Sequence, residues 1–169
     1  MCRIGMLLIT ILYVACHDSV RPEGYVKATK DVVSWSAKAT AVFEPAFGDS
    51  LISVLGQVIN SQGFKSEEMG FLKIPPRVGT YKVVKGGAPA TYKDIAISYA
   101  LLEGHGHVIS EFQTLDTFYQ NSFSVDAYDV SSQTLKATFE CRLMYVNPFN
   151  DTTYTVFKGG SINVAIEDY

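Results

Sequence analysis

His105 and His107 flank Gly106, and residues two apart in a strand project from one face. The pair is therefore able to offer two imidazoles to a metal, with Glu103 or Glu111 as a neighbouring carboxylate. No third ligand cluster accompanies them, and a glycine-supported turn with solvated imidazoles accounts for the same residues; the spacing favours that turn. Nucleophilic catalysis requires a base held against a Ser or Cys and a third group that orients the base. Cys141 alternates with Phe139 and Leu143 and so reads as a small apolar filler facing inward. The carboxylates are scattered: Glu67-Glu68 fall in an expected loop, and Asp126 and Glu140 on outward strand faces. Gly86-Gly87 and Gly159-Gly160 lack the lysine and helix start of a phosphate loop. Most of the ten tyrosines and ten phenylalanines sit in the inward phase of strands, as does Trp35. Tyr119, Tyr128, Phe149 and Tyr154 lie at turns or on the polar phase, where stacking against a sugar or a protein is open to them. The residues specify no catalytic set, no cofactor and no metal beyond the two histidines.

The elements that must position these residues are strands. Trp35, Ala37, Ala39, Ala41 and Phe43 line one face while Ser36, Lys38, Thr40 and Glu44 line the other, the period of two of a half-buried strand. The pattern recurs over Leu51–Val58, Gly70–Ile74, Tyr81–Lys85, Ile95–Leu101, Val108–Leu115 and Phe123–Ala127. It is longest from Leu135 to Tyr145, where Thr134, Lys136, Thr138, Glu140 and Arg142 form the wet face. Tyr154–Phe157 and Ile162–Ile166 complete about nine strands, separated by Pro75-Pro76, Gly86–Pro89, Asp129–Gln133 and Asn147–Asp151. Thr114–Gln120 allows one helical turn and Ser61–Met69 a loop or short helix. The expected fold is an all-β antiparallel sandwich, with a lipocalin-like barrel as the alternative.

The N-terminus reads as an address. Arg3 precedes an apolar stretch from Ile4 to Ala15, which as a helix would reach only about 18 Å against a hydrocarbon core of roughly 30 Å. That is a signal peptide, residues 1–15. Residues 16–31 read as a polar tether containing Pro22 and Gly24, and residues 32–169 as one β domain. A body of about 150 residues buries enough surface to fold without disulfides, and after loss of Cys2 and commitment of Cys16 only Cys141 would remain. The formal net charge of −3 is spread along the chain and argues against phosphate-backbone binding, hence against nucleic acid as partner.

Leu12-Tyr13-Val14-Ala15-Cys16 resembles the bacterial lipobox, with Tyr13 standing where leucine is preferred. The resemblance implies lipidation of Cys16, with acyl chains rather than a basic patch holding the protein to a membrane. Gly79-Thr80-Tyr81, Ala90-Thr91-Tyr92, Gly106–Ser110, Ser122–Val125 and Lys158–Ile162 together are similar in order and spacing, over residues 35–169, to small lipoproteins of unknown function in Bacteroidetes. The chain departs from them at Phe139–Arg142 and at Ile162. The resemblance implies a lipid-anchored β domain at the outer membrane, and it brings no catalytic residues. Asp18-Ser19-Val20, Asp49-Ser50-Leu51 and Asp151-Thr152-Thr153 resemble the O-glycosylation acceptor pattern of that phylum, which makes Ser19, Ser50 and Thr152 candidates.

The function expected from these readings is non-enzymatic: a lipid-anchored cell-envelope protein with a binding or structural role toward an envelope protein or glycan. The alternatives are a lipocalin-like carrier of a small apolar ligand, and a fimbrial or adhesin subunit that exchanges its C-terminal strand, Gly160–Glu167.

Overall fold

The computed structural model describes residues 23–46, 49–85, 94–103, 107–112 and 114–167. These form strands β1 (Gly24–Lys30), β2 (Val33–Ala46), β3 (Asp49–Ile59), β4 (Lys65–Ile74), β5 (Gly79–Lys85), β6 (Asp94–Glu103), β7 (His107–Phe112), β8 (Thr114–Leu115), β9 (Ser122–Asp129), β10 (Thr134–Val146) and β11 (Thr152–Glu167). The all-β expectation holds, with no helix among the described residues. The alternation that predicted β10 is seen in its burial: Leu135, Ala137, Phe139, Cys141 and Leu143 are buried, while Lys136 and Thr138 are exposed.

Pairing runs β1-β2-β3-β4-β6-β5-β9-β10-β11 and returns to β1, so the first and last strands close a ring. Two contacts depart from the antiparallel expectation. β5 runs parallel to β6, and the last residues of β11, Ile166 and Glu167, run parallel to Ala41 and Val42 of β2. Between β6 and β10 the ring runs through β5 and β9 at one level, while at the other β7 extends from β6 and β8 from β10.

Three further expectations are corrected. Gly24–Lys30, assigned to the tether, is β1, with Val26 and Ala28 inward; a strand with only two buried positions leaves little trace in a polar segment. Residues 16–22 lie outside the described residues. Lys65–Met69 belongs to β4 and not to a loop or helix. Thr114–Gln120 opens with the short strand β8 and continues as a turn.

The interior is sandwich-like and filled. Phe71 on β4 meets Phe139 on β10 at 4.8 Å and Phe123 on β9 at 5.9 Å between ring centroids, and Tyr99 on β6 meets Phe157 on β11 at 5.1 Å. These rings meet one another across the core. The C-terminal strand is also committed: β10 pairs one edge of β11 through twelve positions, and β1 and β2 take the other. Over Gly160–Glu167 both edges are paired at Ser161–Asn163, by β10 and by β1.

Hairpin tips repeat one local device. Asn60, Asp129 and Asn147 each accept backbone N–H groups a few residues ahead through the side-chain oxygen, at 2.8–3.2 Å. Such side chains mimic a backbone turn and tolerate the sharp reversal. The β1–β2 tip is fastened from outside itself: Asp31, at φ 56°, donates its N–H to the Val156 carbonyl and accepts from the Val156 N–H and the Thr155 hydroxyl.

Candidate functional site

Up-and-down alternation puts the β1–β2, β3–β4 and β10–β11 connections, together with the end of β6 and the start of β7, at one pole of the ring. Gly24, where the described chain enters β1, and Glu167 lie toward the other. Among the described residues, the far pole carries most of the exposed large apolar side chains: Val32 (89% exposed), Val33, Ile59, Phe64, Val108, Ile109, Val146 and Phe149 (85%). Leu72, Val78 and Val130 are the counterparts near the other pole among the described residues.

On the flank of the far pole, two of the four aromatic candidates gather around Arg142 of β10. Its guanidinium lies over the Tyr154 ring at 4.1 Å and meets Asp116 at 3.3 Å, while its Nε is buried with no hydrogen-bond partner. Asn121 accepts the Arg142 backbone N–H at 2.9 Å and donates its side-chain amide to the carbonyls of Asp116 and Tyr119. Asp116 caps the turn by accepting the Phe118 N–H. Tyr119 donates its hydroxyl to Glu140. Burial, followed by that bond and the Glu140 charge, pushes the Tyr119 phenol up to about 12. Phe118, 99% exposed, stands at the tip of this turn. Tyr and Arg, stacked here, are among the residue types enriched at the centres of protein interfaces.

Inside the same pole lies a second network. Glu67 of β4 accepts from Lys30 through both oxygens at 2.8 Å, from the Trp35 indole at 2.6 Å and from the Tyr99 hydroxyl at 2.8 Å. Burial alone would raise the Glu67 carboxyl; the bonds from Lys30, Tyr99 and Trp35 outweigh it and hold the group below its ordinary value. Burial first, then Glu67, pushes the Tyr99 phenol far above its usual range. The network ties β1, β2, β4 and β6 together, so its chemistry is fastening, with every oxygen of the carboxylate already used.

The other candidates are dispersed. Phe149 stands at the β10–β11 tip, and Tyr128 is half-buried against the core near the opposite pole. His107 is an exposed first residue of β7, and His105 lies outside the described residues. No group of three or more His, Cys, Asp or Glu side chains able to hold a metal is found among the described residues. Cys141 is fully buried as expected, and burial followed by the Glu140 charge pushes its thiol well above the ordinary range. Ser50 lies in β3 and exposed Thr152 opens β11; Cys16 and Ser19 lie outside the described residues.

Sequence reasoning missed Arg142, Asp116 and Phe118, and it placed Glu67 in a loop. A signal for Glu67 was present in Trp35: a buried indole N–H needs an acceptor, and an inward carboxylate is one. No family model matches the sequence, and no curated protein or solved structure matches it either.

Proposed function

We propose that this is a non-enzymatic, lipid-anchored protein of the cell envelope, held at the outer membrane by acyl chains on Cys16, whose β domain binds a protein partner. The observation that carries the binding role is the exposed rings of Tyr154 and Phe118 with the half-buried Arg142 guanidinium stacked on Tyr154, held by a turn whose polar atoms are spent on positioning it. Protein is favoured over glycan because Val146, further along the same strand β10, is an exposed aliphatic side chain, and such surface gains from apolar contact rather than from hydroxyl groups. The signal peptide, the lipobox-like Cys16 and the mild acidity support the anchoring.

The test has two arms on the native chain. Mass spectrometry of the N-terminal peptide should find acyl groups on Cys16, and Cys16→Ser should move the protein from the detergent phase to the aqueous phase. An unacylated native Cys16 removes the anchor. Tyr154→Ala with Phe118→Ala should lower co-purification of envelope partners by roughly tenfold or more, since hot-spot truncations cost about 2 kcal/mol each. Unchanged recovery removes the binding role from this patch.

A further inference from the structure

Apolar tips at the far pole lie on several separate connections: Val32 and Val33 on β1–β2, Phe64 on β3–β4, Val108 and Ile109 on β7, and Phe149 on β10–β11. Water gains nothing from this arrangement, and the tips do not belong to the core they surround. Around them the exposed charges are Asp31, Glu103 and Asp151 against Lys65, an acidic excess. We infer that this pole docks a protein that presents an apolar surface with a basic rim, and that it does so facing away from the membrane that holds Cys16. The inference rests on the anchored reading above and adds the partner's chemistry and the direction in which the domain points.

The anchoring bilayer is a poor fit as the occupant. Gly24 lies eight residues beyond Cys16, and a chain of that length spans at most about 29 Å even when fully extended. From Gly24 to Lys30, β1 alone covers about 20 Å before the first apolar tip. For the tips to reach the bilayer, the tether would have to fold back along β1 close to full extension. An acidic rim would also be repelled by anionic headgroups. A second copy of the chain would bring one acidic rim against another. A basic-rimmed apolar protein surface satisfies both the tips and the charges, with the rim governing rate and orientation and the tips the dwell time.

The experiment uses the full chain in its own cells, with benzoylphenylalanine at position 149 or 33, and with position 78 or 130 as opposite-pole controls. Irradiation should give a discrete protein adduct from 149 and 33 and none from 78 and 130. The captured peptide should be apolar with Lys or Arg beside it. Glu103→Lys combined with Asp151→Lys should lower the adduct yield roughly fivefold or more. Equal adducts from both poles, adducts to lipid alone, adducts to a second copy, or no adduct would each overturn the inference. Acylation of Cys16 is read by mass spectrometry in the same samples. Loss of that signal with the pole-specific adduct intact defeats the anchored reading, and the reverse pattern defeats the docking surface.

Discussion

Glu67 concentrates more structural work than any other polar side chain described in the ring, because one carboxylate serves donors from three other strands. Glu67→Gln keeps the volume but leaves Lys30 half-buried beside a neutral amide, and it should cost about 2 kcal/mol, read as a lower urea midpoint. The folded carboxyl titrates below its unfolded value of about 4.3, so its contribution is complete above that pH and disappears as pH falls through the lower folded value. The gap in urea midpoint between native and Glu67→Gln proteins should therefore narrow from pH 6 to pH 3, and a constant gap would contradict this account. Cys141 gives a second residue-scale expectation. Its buried, neutral thiol should resist iodoacetamide at pH 8 in the folded protein and react once urea unfolds it. The sequence already made Cys141 legible, since its neighbours two positions away are Phe139 and Leu143. Arg142 was not legible, because an outward arginine on a strand looks the same whether or not a tyrosine from the next strand lies beneath it.

At the scale of elements, β11 shows how a strand bends without breaking. Its register against β10 shifts between Phe139 and Cys141, and Gly159 takes up the extra residue at φ 56°. The next residue, Gly160, is covered by the Phe139 ring: a Cβ there would lie 2.5 Å from ring carbons. Gly160→Ala should displace that buried ring and cost about 2 kcal/mol, visible as a lower melting temperature. The sequence marked Gly159-Gly160 as a break between two strands, whereas the structure runs one strand of sixteen residues through them. Glycine has the same local signature in a bulge and in a turn, and only the partner strand distinguishes the two. β1 and the start of β4 were missed for a related reason. Two inward residues in β1, and an inward Glu67 in β4, do not produce an apolar alternation.

At the scale of the molecule, the described strands form a ring closed by β1 against β11, and this closure is a long-range event. Deleting residues 23–31 should leave the paired edges of β2 and β11 bare, and the shortened chain should aggregate or lose its cooperative unfolding transition, checked by light scattering and urea titration. A monomer with an unchanged transition would show that β1 is dispensable. The polarity of the ring, with apolar tips at one end and Gly24 toward the other, also belongs to this scale. Val32, Phe64 and Phe149 are each an ordinary exposed residue along the chain, and they share a pole only because alternate connections do. From its own order of residues the chain determined an all-β body, the inward faces of its long strands and the burial of Cys141, since each follows from local periodicity and composition. Tertiary structure alone decided which strands pair, where parallel contacts occur, that Glu67 faces inward, and that Arg142 meets Tyr154. Those outcomes depend on register between segments far apart in sequence, and no local pattern encodes it.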